Sequence, residues 1–79
     1  MNKKKIKQID SFKVITDSGK LNTVYAYQEF YIAEEFGQAP KEIPGIISYR
    51  TRDGKGVNQI DQNTYQLLDG VEVVIAKKI

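Results

Sequence analysis

Residues 46–68 read IISYRTRDGKGVNQIDQNTYQLL, and their pattern predicts three short strands separated by two tight turns. Asp53-Gly54 lies between two extended segments, which is among the strongest short-range signals of a β-hairpin. Asp61 and Asn63 can hydrogen-bond their own backbone, so they mark a second turn. Alternation along the first strand puts Ile46, Ser48 and Arg50 on one face and Ile47, Tyr49 and Thr51 on the other.

The segments on either side of this stretch extend the pattern. Downstream, Asp69-Gly70 predicts a third turn, and residues 71–77 predict a final strand of alternating side chains. Upstream, residues 37–45 read GQAPKEIPG and contain both prolines of the chain. This composition predicts a loop that crosses from one part of the sheet to another, with Pro44-Gly45 as a type II turn before the strand.

Residues 21–36 are where a strand and a helix compete. A helical period scatters the tyrosines around the cylinder, whereas a period of two gives two consistent faces. The density of aromatic residues favours a strand over residues 21–32, and residues 33–36 fit either its end or a short helical cap. The strand has Val24, Ala26, Phe30 and Ile32 on one face and Tyr25, Tyr27, Glu29 and Tyr31 on the other.

The amino-terminal segment predicts a tail followed by a hairpin. Residues 1–5, MNKKK, predict a flexible basic tail, because a run of lysines has nothing to bury and repels itself. Residues 6–17 predict a strand, and DSGK at residues 17–20 supplies the chemistry of a turn. Phe12, Val14 and Thr16 share one face of this strand, and Lys13 and Ile15 share the other.

Together these elements predict one all-β domain over residues 6–79. Five or six closely spaced strands with glycine-containing turns are typical of an antiparallel meander, and a small sheet curls to hide its edges. We expect an SH3-like or partly open barrel. A chain of 79 residues buries only about 60–65% of its unfolded surface, so its core is thin and a partner subunit would add stability.

Composition and charge narrow the classes of function. Without cysteine or histidine, disulfides and the usual structural zinc sites are excluded. No apolar run is long enough for a signal peptide or a membrane span, so a cytoplasmic location without membrane association is expected. The net charge is +2, but six of the twelve basic residues lie near the ends, and the remainder (6 − 10) carries −4. An acidic body argues against a groove that follows phosphates.

Residues 46–68 also resemble a known pattern. Tyr49, Thr51, Asp53-Gly54, Val57-Asn58, Ile60-Asp61 and Thr64-Tyr65 match Y-x-T-x-D-G-x-x-V-N-x-I-D-x-x-T-[YF], a pattern of short bacterial proteins of unknown function. The resemblance covers mainly residues 46–68, and residues 43–45 fit as well. It implies a bacterial origin and a β domain that stands alone, and it brings no activity with it.

The sequence has few of the residue types that commonly carry catalysis, and no catalytic, cofactor-binding or metal site is predicted. Histidine and cysteine, the common general base and thiol nucleophile, are missing. The serines lie outside any G-x-S-x-G or S-x-x-K context. Glycine-rich residues 53–56 lack the spacing and the helix of a phosphate-binding loop, so a hairpin turn explains them. Asp53, Asn58 and Asp61 lack the spacing and closing glutamate of a calcium loop.

One cluster of side chains is a candidate binding surface. Tyrosine and arginine are enriched both in interface hot spots and in the stacking platforms of small barrels. Three readings compete: half-buried cross-strand tyrosine pairs, a surface for a protein partner or a second copy, and a single-stranded nucleic-acid platform. We predict a non-enzymatic binding or protein-interaction module, with the nucleic-acid reading as the alternative. The candidate surface consists of Tyr25, Tyr27, Tyr31, Tyr49, Arg50 and Arg52.

Overall fold

The computed structural model describes residues 3–79, which form six antiparallel strands in a closed barrel. The all-β prediction is confirmed. Within the described residues no helix occurs, and so none is long and apolar enough to cross a membrane. The strands are β1 (Lys3–Thr16), β2 (Leu21–Ala33), β3 (Lys41–Thr51), β4 (Gly56–Gln59), β5 (Thr64–Asp69) and β6 (Glu72–Lys78).

Each strand pairs with its neighbour in sequence, and the barrel closes where the first strand meets the last. The closing seam is short: Val14 to Thr16 of β1 pair with residues 76–78 of β6. One further bond extends it, because the Ile79 N–H donates to the Lys13 carbonyl at 3.1 Å. The predicted meander is therefore present, and closure leaves no free edge at this level of the sheet.

The barrel interior is filled by apolar side chains that share one face of each strand. Phe12 and Tyr49 pack on the buried cluster, and their rings stand edge to face at 6.3 Å. Tyr65 completes the aromatic group, with its ring centroid 5.0 Å from that of Phe12 and 5.4 Å from that of Tyr49. The buried apolar residues are Val14, Val24, Ala26, Val57, Tyr65, Leu67 and Ala76.

The first three strands are far longer than the last three, so they extend beyond the barrel. We call this extension the arm: residues 3–10 of β1, 27–33 of β2 and 41–48 of β3. The described chain measures 56 × 24 × 19 Å, with a radius of gyration of 16.0 Å. A compact domain of 79 residues would have about 12 Å. The arm makes the molecule elongated.

Two β-bulges lie in the arm strands and reverse the alternation there. In β1, Ile9 is the extra residue between the pairs Gln8↔Tyr27 and Asp10↔Ala26. In β3, Gly45 and Ile46 lie opposite Glu29 alone. An extra residue shifts every side chain beyond it to the other face, so strict alternation does not carry from the barrel into the arm.

Two of the turns are built alike, and both lie at the barrel end opposite the arm. In residues 16–20 the Thr16 Oγ1 accepts the Lys20 N–H at 3.0 Å, and in residues 51–55 the Thr51 Oγ1 accepts the Lys55 N–H at 3.0 Å. Gly19 and Gly54 have φ values of +84° and +85°, which only glycine adopts readily. The repeated sequence T-x-[SD]-G-K therefore encodes one turn twice.

Two boundary predictions differ from the structure, and one open alternative is decided. Residues 33–36 form no helical cap, since Ala33 ends β2 and a turn follows. The connection is shorter than predicted, and Pro44-Gly45 lies within β3 beside β2 rather than in a type II turn of a crossing loop. Lys3, Lys4 and Lys5, assigned to a flexible tail, are paired with residues 30–32 in β1. The prediction for Met1 and Asn2 lies outside the described residues.

Candidate interaction surface

The barrel and the arm place most of the predicted surface residues on one face of the sheet. Tyr25 lies opposite Arg50, and Tyr27 lies opposite Ser48. The Tyr25 and Tyr27 rings meet edge to face at 6.5 Å. Arg52 lies in the adjoining turn, where its N–H donates to the Thr23 carbonyl at 3.0 Å. Five of the six predicted residues therefore share this side: Tyr25, Tyr27, Tyr31, Arg50 and Arg52.

Tyr49 does not join the predicted surface. It pairs with Ala26 and Val57, whose side chains point into the barrel, so its ring packs against Phe12 and Tyr65. Its hydroxyl donates to Gln59 Oε1 at 3.3 Å. The alternation in the sequence already separated Tyr49 from Arg50, and burial in the aromatic group makes it part of the core.

The same side of the arm carries exposed isoleucines that were not in the predicted set. We call this surface the isoleucine face: Ile6, Tyr27, Tyr31, Ile43 and Ile46. The three isoleucines are 60%, 51% and 68% exposed. Ile6, Tyr27 and Ile46 line a shallow open depression of about 450 Å³, together with Glu29, Ser48 and Arg50. The surface is mainly apolar, with one ion pair and one arginine.

The charge at the centre of the isoleucine face is balanced within the face itself. Lys4 Nζ lies 2.6 Å from Glu29 Oε1, and the Tyr31 hydroxyl donates to Glu29 Oε2 at 3.2 Å. The hydrogen bond from Lys4 lowers the pKa of Glu29, and the same bond raises the pKa of Lys4. A partner that covers this face does not need to supply a counter-charge for Glu29.

The opposite side of the arm is covered by its own lysine side chains. We call this surface the lysine face: Lys3, Lys5, Lys7, Gln28, Phe30, Ile32, Glu42, Pro44 and Ile47. Lys5 Nζ lies 2.6 Å from Glu42 Oε1, and Lys7 Nζ lies 5.2 Å from the centre of the Phe30 ring. Lysine stems shield apolar surface while their charged ends stay in water. The isoleucine face carries Lys4, whose Nζ pairs with Glu29, while Ile6, Ile43 and Ile46 are each more than half exposed.

The two free edges of the arm are protected against pairing with another strand. The β1 edge carries the Ile9 bulge and four lysines, and the β3 edge carries Pro44 and a bulge. Lysine, proline and bulges are the devices by which edge strands resist addition of a further strand. The faces of the arm, rather than its edges, are therefore available for binding.

A second depression, of about 120 Å³, lies at the barrel end formed by the two similar turns. Its hydroxyls are engaged in those turns: Thr16 Oγ1 also contacts Ser18 Oγ at 2.9 Å. Lys55 Nζ lies 2.7 Å from Asp69 Oδ1, and this contact lowers the pKa of Asp69. In residues 3–79 no group of three or more acidic side chains is placed to hold a metal ion. These contacts stabilise the end of the barrel.

Sequence reasoning missed Ile6 and Ile43 because the two bulges moved them. By alternation alone, Ile6 would share a face with Phe12 and Val14, and Ile43 was placed in a loop. Ile46 was correctly placed beside Ser48 and Arg50, but it was not counted as part of the surface. A proline and a glycine within an otherwise extended segment were the available signal of the β3 bulge.

Comparison of the chain with protein-family models, with curated proteins and with solved structures finds no match to any of them. The resemblance over residues 46–68 stays a prediction.

Proposed function

We propose that this protein is a non-enzymatic protein-interaction module that binds through the isoleucine face of its arm. One observation carries the proposal: three strands extend past the barrel and present three isoleucines, each more than half exposed, on one continuous surface. Exposed apolar residues are ordinary when scattered singly, but a contiguous group marks a contact site. Tyr27 and Tyr31 add the residue type that is enriched among binding hot spots.

The polar residues around this surface support a protein as the ligand. Arg50, Lys41 and Gln8 lie near the apolar group, and Lys4 and Glu29 neutralise each other inside it. An apolar centre with a polar rim is the usual composition of a protein interface. The protected edges favour a partner that packs on the face instead of one that extends the sheet.

The shifted pKa values support a role without catalysis. Among residues 3–79 the lowered pKa values of Glu29, Glu42 and Asp69 follow from hydrogen bonds to lysines at the surface. Hydrogen bonds in the Asp61 turn lower the pKa of Asp61, and burial raises the pKa of Tyr65. Each cause is structural, whereas catalytic groups combine a shifted pKa with a cleft and a reacting partner.

Single-stranded nucleic acid is the alternative ligand, and one observation favours it. Tyr25 and Tyr27 stand beside Arg50, and Lys13 and Arg52 lie on the same side of the sheet. Stacking of bases on such aromatics would give an affinity that falls steeply with salt. The burial of Tyr49 removes one platform residue, and Arg50 Nη1 already donates to the Gly54 carbonyl at 3.3 Å.

The test compares two neighbouring isoleucines on opposite faces. Ile46 belongs to the isoleucine face and Ile47 to the lysine face, at 68% and 47% exposure. Wild type, Ile46→Arg and Ile47→Arg are immobilised and exposed to a bacterial lysate supplemented with the tagged wild-type chain. The proposal expects a protein ligand that wild type and Ile47→Arg retain and Ile46→Arg loses. Equal capture by all three variants would overturn it.

A binding titration with a labelled mixed-sequence oligonucleotide tests the alternative. Fluorescence anisotropy at low salt and at physiological salt, with wild type and Tyr27→Ala, separates the two ligands. We expect no binding at either salt concentration. Binding at low salt that weakens steeply with salt and is reduced by Tyr27→Ala would favour the nucleic-acid function instead.

A further inference from the structure

The arm has no core of its own. Each of its residues is at least partly exposed. The buried apolar residues all lie at the level of the barrel, as the cluster of Val14, Val24, Val57, Leu67 and Ala76 shows. A three-stranded sheet needs a covered apolar face to be independently stable, and a small domain has little stability to spare. A partner that covers one face of the arm would supply the apolar burial that the arm lacks.

We propose that this partner is a second copy of the chain, packed face to face on the isoleucine face to form a two-fold symmetric dimer. This inference rests on the proposed function and names its partner. A second copy is always present with the first and brings the same apolar surface. In a two-fold interface the same patch contacts itself, so the patch must complement its own shape and charge.

The area of the arm reaches the lower limit for a specific dimer. Seven or eight residues along each strand and three strands across give a face of roughly 400 Å² in projection, from spacings of about 3.3 and 4.8 Å. Protruding side chains make the accessible area of this face larger than its projection. The buried area of an interface is the sum over both copies. The total reaches about 1,000–1,200 Å², the lower range for specific interfaces. Tyr25 and Arg50, on the same side of the barrel, can extend the contact.

The charges on the isoleucine face allow this face to be buried against the same face of a second copy. Lys4 and Glu29 form a contact of 2.6 Å, so neither enters the interface as an unpaired charge. Arg50 and Lys41 lie toward opposite ends of β3, where a rim stays in water. The lysine face is less suitable, because Lys3, Lys5 and Lys7 share it with Glu42 and would repel their counterparts in a second copy.

The first experiment is sedimentation velocity over a range of concentrations. We expect wild type to sediment as a species of twice the 9.0 kDa chain mass, and Ile47→Arg to do the same. Ile46→Arg should weaken dimerisation by roughly 30- to 100-fold, as expected for a charge in an apolar contact. Circular dichroism checks that each variant keeps its strands.

The second experiment needs only the wild-type chain. Labelled and unlabelled copies are mixed, and isotope-filtered nuclear Overhauser spectra report contacts between copies. We expect intermolecular contacts from the methyl groups of Ile6, Ile43 and Ile46, and none from Ile47. A dimer whose intermolecular contacts come from Ile47 or from the outside of the barrel overturns the inference.

The outcomes separate this inference from the proposed function. A wild-type chain that is monomeric at every concentration overturns the second copy as the partner. If Ile46→Arg then still loses a different captured protein, the interaction module stands with another ligand. If the monomer also shows no capture that depends on Ile46, both proposals fail together.

Discussion

The Tyr31 ring lies over Gly45, so close that a side chain on Gly45 would collide with it. A Cβ at Gly45 would be 2.7 Å from Tyr31 Cε2 and 3.3 Å from Glu29 Cβ. Gly45 is one of the two bulge residues opposite Glu29, and the missing side chain lets the ring lie on the β3 backbone. The bulge and the aromatic ring thus shape the isoleucine face together.

Gly45→Ala should disturb the arm because the Tyr31 ring must move. Overpacking costs about 1–3 kcal/mol in cores, and a partly exposed ring can yield, so we expect a loss of about 1 kcal/mol in unfolding free energy. Urea denaturation measures this loss. Gly56→Ala is the matched control, since its Cβ would meet Leu68 Cδ1 at an ordinary 3.4 Å. Equal losses in both variants would show that the collision is not what matters.

Thr16→Val and Thr51→Val should destabilise the protein to a similar extent. Each buried hydroxyl accepts the N–H of the lysine four residues later at 3.0 Å, and valine keeps the shape but removes the acceptor. We expect a loss of about 1–2 kcal/mol for each variant in chemical denaturation. Thr23→Val is the control, because its hydroxyl contacts only the exposed Lys13 ammonium at 3.1 Å. A Thr51→Val variant with the same free energy of unfolding as wild type would contradict the equivalence of the two turns.

Tyr49→Ala and Tyr27→Ala should differ sharply in stability. Tyr49 packs on Phe12 and Tyr65, so its loss should cost about 2–3 kcal/mol of unfolding free energy. Tyr27 lies on the outer face of the sheet, so its removal should cost less than about 1 kcal/mol at concentrations where the chain is monomeric. Thermal unfolding of the two variants measures the difference. A larger loss for Tyr27→Ala would contradict the placement of Tyr49 in the core.

Stability should be level near neutral pH and fall in acid. The chain has no histidine, so no side chain with an ordinary pKa titrates between about pH 5 and 9. Hydrogen bonds from Lys4 and Lys5 lower the pKa of Glu29 and Glu42 below 4.5. A carboxyl group whose pKa is lower in the folded state stabilises the fold at a pH above its unfolded-state pKa. This contribution is lost as the pH falls through the folded-state pKa.

At alkaline pH, the pH dependence of stability has the opposite sign for the lysines that pair with these carboxylates. The pKa of Lys5 is raised above 10.5 by its bond to Glu42, so its contribution is complete below 10.5 and lost as the pH rises through the folded value. Urea denaturation at a series of pH values measures both limits. Glu42→Gln should make the fall in unfolding free energy at acid pH shallower. An unchanged fall would show that the pair of Lys5 and Glu42 contributes nothing to it.

Much of the candidate surface could be predicted from the sequence, although its apolar part could not. Period-two alternation correctly placed Tyr25, Tyr27 and Tyr31 on one side of β2, because neighbouring side chains in a strand must point to opposite faces. The same rule misplaces Ile6, since the bulge at Ile9 inverts the register. A bulge is set by pairing with a partner strand, and one strand's pattern does not contain it.

The sequence by itself determined the strands of the barrel and the turns between them. Asp53-Gly54, Asp69-Gly70 and the glycine at position 19 are local requirements of a reversing backbone, and alternation over residues 12–16 defines an inner face. In β6 alternation separates two faces, and the structure shows that Val74 and Ala76 form the inner one. Only the tertiary structure decided where the barrel closes and how far the arm extends. Closure depends on the pairing of β1 with β6, which are distant in sequence. The arm extends because β4, β5 and β6 are shorter than the strands that precede them.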